Sequence, residues 1–328
     1  MDIFKKWATY KVIDFVTLHN LSFLDSSQST KGTFEQSLKR IEKIYDKPLQ
    51  ELDAIYLRDE HAFLKMLKDS KYSDNTILTT YTQILKVLKM IDAPLNIYSK
   101  YVKLLKEKTA ERDEVQQLKI EIQKDSLIHY KTLQRELDIN EDEYVDYDGD
   151  EEGDKFNDLR NFLLIKLFIT QIPVRVGNYT KLKITKKSSD YANKDFNWLY
   201  MKGDLMMWVF NKYRTSKDIG TKELIITDEG LKRVLLHYIT NYIGSNIDKD
   251  YLFPKDIYST KRIPMIAKDI NSAILLSSYK IFGQALTIEQ LRASYLSFIA
   301  EIDPDFNSKM EIASIMGYSN THKIQQYN

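Results

Sequence analysis

The sequence has no cysteine among its 328 residues, and its formal net charge is only +1. Without thiols there is no disulfide and no thiolate metal site. This fits a reducing, intracellular setting, whether cytoplasm, nucleus or viral factory. The five histidines show no ligand spacing such as H-E-x-x-H, so no metal centre and no cofactor is expected. No run approaches the roughly 18 apolar residues that a membrane span needs. The opening Met1-Asp2-Ile3-Phe4-Lys5-Lys6-Trp7 lacks the apolar core of a signal peptide. No membrane partner is therefore expected.

What is present is a globular composition with uneven charge. Hydrophobic residues make up 43% of the chain, which predicts a packed protein rather than a disordered one. The length allows two domains. From Glu136 to Asp154 there are eleven acidic residues and no basic ones. From Lys155 onward there are 25 lysines and arginines against 17 acids, a local balance of about +8. A near-neutral total thus hides a basic C-terminal half.

The N-terminal part reads as helices at Thr33–Tyr45, Asp59–Lys68, a long stretch after the Ser73-Asp74-Asn75 capping cluster, and Ile97–Lys108. Glu111–Leu137 looks helical but strongly charged. Asp138–Asp154, with Gly149 and Gly153, reads as a solvated linker or loop. Phe156–Thr170 is an apolar helix. Short strands are expected at Leu182–Ile184, in a hairpin around Lys202-Gly203-Asp204, and at Leu224–Thr227. Further helices follow at Asp228–Tyr242, Asp269–Tyr279, Thr287–Ala300 and Lys309–Gly317, with Gly317 as a C-terminal stop. The expected fold is mainly α with a small antiparallel β-sheet.

Three residues in distant segments suggest a chemistry. Arg175 lies in Pro173-Val174-Arg175-Val176-Gly177-Asn178-Tyr179, and Arg292 in Glu289-Gln290-Leu291-Arg292. Tyr327 follows nine positions after Tyr318 in Met316-Gly317-Tyr318-Ser319. Two guanidiniums can grip one phosphate through paired hydrogen bonds. A phenol beside that phosphate can attack it, with a lysine protonating the leaving oxygen.

In these segments the chain resembles the tyrosine recombinase/integrase family, and the resemblance is most specific from Phe156 onward. The family's first arginine follows an apolar helix and precedes a short strand, as Arg175 does. A branch from large DNA viruses and mobile elements carries P-P-R-R-x-D-Y there, and F-N-x-Y-K-T before a glycine turn. Phe210-Asn211-Lys212-Tyr213-Arg214-Thr215 with Gly220 is similar to the second pattern. The H-x-x-R motif corresponds to Glu289–Arg292, the L-G-H-S segment to Met316–Ser319, and the nucleophile to Tyr327.

The resemblance implies a DNA integrase or site-specific recombinase that works through a 3′-phosphotyrosyl link on double-stranded DNA, as a homo-tetramer on paired sites. It implies an N-terminal helix or arm at 1–30, a helical core-binding clamp at 31–135, an acidic linker at 136–155 and a mixed α/β catalytic domain at 156–328. Arg175, Glu289, Arg292, Tyr318 and Tyr327 take catalytic positions. Lys181, Lys183, Lys186, Lys187 and Lys212 are expected phosphate contacts.

Three positions depart from the pattern. Glu289 replaces a histidine or lysine, and its carboxylate repels phosphate unless it is protonated or paired with an arginine. Tyr318 replaces a histidine and keeps a donor without the charge. Arg214 replaces a lysine and is a poor proton donor, which leaves Lys217 or Lys212 for that role. A type IB topoisomerase-like enzyme and an inactive DNA-binding relative remain as alternatives.

Overall fold

The computed structural model describes residues 11, 28–90, 93–145, 152–213, 216–244, 250–258, 262–318 and 320–327. The proposed arm at 1–30 falls almost wholly outside them. The chain divides into two compact units, Met1–Lys119 and Ile120–Asn328.

The first unit is helical. It contains α1 (Gln28–Tyr45), α2 (Glu60–Asp69), α3 (Asp74–Met90) and the start of α4 (Leu95–Ser126), within which the division falls. Asp59 caps α2 by accepting from the backbone N–H groups of His61 and Ala62 at 3.1 and 2.9 Å. Ser73 caps α3, with Thr76 N–H donating to its hydroxyl at 3.3 Å. Phe34, Leu38 and Ile41 of α1 share a core with Phe63, Leu67, Ile84, Leu88 and Ile97. Phe63, Tyr81 and Tyr101 pack in a tilted row through that core at ring separations of 5.6 and 5.3 Å. The Tyr101 hydroxyl donates to the Leu57 carbonyl at 2.9 Å, so a buried polar tip is satisfied.

The second unit is built around α6 (Glu152–Ile169), preceded by α5 (Tyr130–Val145). From Phe162 to Ile169 every apolar side chain of α6 is essentially inaccessible. A helix that is apolar on all sides belongs in the middle of a core. It is surrounded by α5, α7 (Glu229–Tyr238), α8 (Ala267–Phe282) and α9 (Ile288–Ile302). The last turn after α7, Ile239–Ile243, widens to a π-helix. Asp228 caps α7, accepting from Leu231 N–H at 2.6 Å.

The segment read as a solvated linker from Asp138 is helical up to Val145, as part of α5, and it is packed. Leu137 and Glu141 are buried. The reason is charge pairing: Lys166, 1% exposed on α6, donates to Glu141 Oε2 at 2.6 Å. Arg233 of α7 bonds the other Glu141 oxygen and Asp142. The acids are therefore half of an ion cluster that joins three helices, and not a hinge. Gly230 lets α7 approach it, because a Cβ there would sit 3.0 Å from Glu141 Oε2 and 3.3 Å from Lys166 Nζ. Residues 146–151 of the acidic stretch lie outside the described part.

The sheet runs β1 (Lys183–Thr185), β2 (Trp198–Lys202), β3 (Leu205–Phe210), β4 (Lys222–Ile225), in that spatial order. The hairpin falls where the Lys202-Gly203-Asp204 turn predicted it, with Gly203 at φ 55°. β3 and β4 are also antiparallel. β1 is instead parallel to β2, so the sheet is mixed and not purely antiparallel. The twelve-residue crossover from Lys186 to Asn197, carrying the short helix Ser188–Tyr191, makes that direction possible. β4 begins two residues earlier than the expected strand. One sheet face supplies Leu199, Met201, Met206, Trp208 and Phe210 to the main core. The other buries Trp198, Tyr200, Met207 and Val209 under Tyr191 and Phe196.

The chain closes with α10 (Phe306–Met316) and the short helix His322–Gln325. No helix among the described residues is long and apolar enough to cross a membrane.

Candidate functional site

Arg175 follows α6 and opens a single 3₁₀ turn, Val176–Asn178. Its carbonyl accepts from Asn178 N–H at 2.9 Å, and its neighbour Val174 is buried. Tyr179 is buried just beyond, its oxygen accepting from Gln171 at 2.9 Å. The backbone of Arg175 is therefore held on both sides by core contacts.

Arg292 sits in the second turn of α9. That helix starts with a reciprocal cap: Gln290 N–H donates to the Thr287 hydroxyl at 3.2 Å, and Thr287 N–H donates to Gln290 Oε1 at 2.9 Å. Leu291, Tyr295 and Leu296 fix the buried face of the helix. Arg292 lies on it and is only 1% exposed.

Both guanidiniums meet the end of α10. Asp305 caps the start of that helix, and Gly317 ends it in the left-handed region at φ 81°. Arg292 donates to the Met316 carbonyl at 2.8 Å. Arg175 donates to the Gly317 carbonyl at 3.4 Å. A Cβ on Gly317 would stand 3.1 Å from Arg175 Nε, so glycine serves both the backbone angle and the close approach. The C-terminal carbonyls of a helix carry partial negative charge and lack internal partners, so cations gather there.

A third cation reaches the same helix end. Lys222, the first residue of β4, donates to the Ser314 carbonyl. Its amine also lies 4.7 Å from the centre of the Tyr213 ring. The Tyr213 hydroxyl closes the preceding turn by donating to the Gly220 carbonyl at 2.7 Å. Desolvation pushes the Lys222 amine below the usual lysine range. The sequence reading did not single out Lys222. The available signal was a lysine two residues after Gly220 at the start of a strand. Its pairing with Ser314, 92 residues away, was not legible.

Tyr318 lies under both arginines, with their guanidinium carbons 5.1 Å (Arg292) and 5.7 Å (Arg175) from its ring centre. Burial raises its phenol, Arg292 pulls it down, Glu289 raises it and Arg175 again lowers it. Tyr327 is half-buried on a segment anchored by Ile324, which is fully buried, and by Tyr327 N–H donating to the Ile324 carbonyl at 3.0 Å. Its phenol is pushed up to about 12, first by burial and then by Tyr318 and Glu289. Glu289 pairs with Arg292 at 3.3 Å.

The structure thus brings together Arg175, Arg292, Glu289, Tyr318 and Tyr327, and adds Lys222. The remaining expected residues stand apart or cannot be placed. Lys212 is exposed and pairs with Asp195 at 3.3 Å. Lys183 rests over the rings of Phe196 at 4.1 Å and Tyr251 at 5.2 Å. Lys181, Lys186 and Lys187 are exposed. Arg214 lies outside the described residues. Lys217 falls in the short helix Ser216–Ile219, and its side chain is not described.

Among solved structures, the chain is similar to the crystal structure of XerA recombinase, at 14% identity and a TM-score of 0.38, over 97% of this chain and 93% of that one. No family model matches the chain, and no curated protein matches it.

Proposed function

We propose that the C-terminal unit cuts and rejoins double-stranded DNA through a 3′-phosphotyrosyl link at Tyr327, as an integrase or site-specific recombinase does. One observation carries the reading: Arg175 and Arg292, from segments far apart in sequence, meet at the end of α10 over the ring of Tyr318, whose charge reaches the Tyr327 phenol. In this reading the two guanidiniums hold the non-bridging oxygens of a phosphodiester. The Tyr327 oxygen loses its proton to solvent and bonds to phosphorus. The bond from phosphorus to the 5′-oxygen breaks, and that oxygen takes a proton from Lys222. The link is resolved when a 5′-hydroxyl attacks it, so the bond energy is kept and no ATP is consumed. Exposed Lys181, Lys186 and Lys187 supply salt-dependent backbone contacts. The active species is a homo-tetramer on paired sites.

Duplex DNA nicked beside the cleavage point traps the covalent link, because the short cut strand diffuses away. Wild type is expected to form a denaturant-resistant adduct, and Tyr327→Phe none. An undiminished adduct in Tyr327→Phe rules out that nucleophile, and an adduct mapped to Tyr318 moves the role there.

The role of Lys222 has its own test. Lys222→Ala is expected to cut ordinary DNA about 10²–10⁴-fold more slowly, the usual worth of a positioned acid. It should recover on DNA whose bridging 5′-oxygen is sulfur, since a thiolate leaves without a proton. Equal slowing on both substrates removes Lys222 from proton transfer.

A DNA-binding protein without cleavage is the second reading. It is favoured by one feature: burial, Tyr318 and Glu289 push the Tyr327 phenol up to about 12, away from the phenolate that attack needs. Tight duplex binding with no adduct from any nicked substrate selects it.

A further inference from the structure

The anion-binding arginine of this site already holds an anion. Glu289 Oε1 lies 3.3 Å from Arg292 Nη1. The Glu289 side chain is 74% exposed and that of Arg292 is 1% exposed, so the carboxylate approaches the buried guanidinium from the solvent side. Capping does not explain the contact, because the cap of α9 is made by Thr287 and Gln290. Arg292 also donates inward, to the Met316 carbonyl at 2.8 Å. Arg292 Nε is buried and makes no hydrogen bond among the described residues. The solvent-facing approach to Arg292 is thus the one that Glu289 takes.

We propose that Glu289 is a built-in competitor for phosphate: it neutralises Arg292 while the site is empty and must be displaced, or repelled, when a phosphodiester binds. The proposal concerns regulation of the same site and rests on the strand-transfer reading for its phosphate ligand. A buried guanidinium without a counter-charge is costly, so the resting protein is more stable with the carboxylate in place. The same carboxylate lowers the attraction for any incoming anion. It also raises both phenols, Tyr318 and Tyr327, which opposes formation of an attacking phenolate. Glu289 therefore trades readiness for stability. The site is held back until a ligand brings enough binding energy from elsewhere on the DNA.

The test separates this role from a purely structural one and from failure of the strand-transfer reading. Inorganic sulfate is titrated calorimetrically into wild type, Glu289→Gln and Glu301→Gln. Glu301 lies on the same helix, is exposed, and contacts His129 at 2.9 Å, so it controls for net charge. Glu289→Gln is expected to bind sulfate roughly fivefold tighter than wild type, the upper worth of an exposed pair. It should melt below wild type without sulfate, and that gap should close as sulfate is added. Glu301→Gln should behave as wild type. Equal sulfate affinity in the three proteins, an equal gain in Glu301→Gln, no measurable sulfate binding, or a melting gap that sulfate leaves open overturns the proposal. If Glu289→Gln gains sulfate affinity while no protein forms a DNA adduct, the competitor role stands and the strand-transfer reading falls.

Discussion

Arg292→Lys is expected to lower covalent adduct formation on nicked DNA by about 10²–10³-fold, the usual cost of losing one preorganised donor to a transition-state oxyanion. The charge is conserved in this variant and the geometry is not. Arg292 spans three partners at once: the Met316 carbonyl at 2.8 Å, Glu289 at 3.3 Å and the ring face of Tyr318 at 5.1 Å. A planar guanidinium can do this because its donors are fixed in one plane, whereas an ammonium is a point charge on a flexible stem. The lysine would satisfy the carbonyl or the carboxylate and leave the end of α10 less constrained. Stability should also fall by about 1–3 kcal/mol, since a buried donor network is broken. The two effects are read separately, by adduct yield in denaturing gels and by thermal melting. Adduct formation within about threefold of wild type, a change too small for a lost preorganised donor, would sink the phosphate-clamp assignment.

Raising the pH from 10 to 12 is expected to unfold the second unit. Burial pushes Tyr295 up to about 12, and it pushes Tyr130, Tyr179 and Tyr238 higher still. In the unfolded chain each of these phenols ionises near its ordinary value of about 10. Between those values the unfolded state binds fewer protons than the folded one, so the free energy of unfolding falls as pH rises. Below pH 10 both states are protonated and the stability is intact. Tyr295, almost fully buried, accounts for a loss of about 2–3 kcal/mol by pH 12. Typical domains hold only about 5–15 kcal/mol, so a few such residues exhaust the margin. Loss of helix by circular dichroism should coincide with the rise of tyrosinate absorbance. Tyrosines that ionise near pH 10 while the helices persist would contradict the burial of these phenols.

Local sequence was a good guide wherever one segment decides its own structure. Ser73 caps the helix that its cluster predicted, and Gly203 and Gly317 take the positive angles of a hairpin turn and a helix end. The largely apolar run from Phe156 was legible as a helix for the same reason. The acidic stretch misled because charge was read as solvation. Glu141 is buried because Lys166 and Arg233 come to it from two other helices, and nothing between residues 136 and 155 encodes those partners.

The site divides along the same line. Arg175, Arg292 and Tyr327 were recognisable from their neighbours in sequence, because turn residues, helix periodicity and motif spacing are local properties. What brings them together is not local. Arg175, Arg292 and Lys222 converge because α10 ends at Gly317 and its carbonyls at 314, 316 and 317 each accept from a cation of a different element. Sequence by itself therefore determined the helix and strand inventory and nominated the reactive side chains. Tertiary structure alone decided that a helix end would gather them, since helix-end carbonyls and buried charges find distant partners only once the chain has packed, whereas the Glu289–Arg292 pair, three residues apart on one helix, is local.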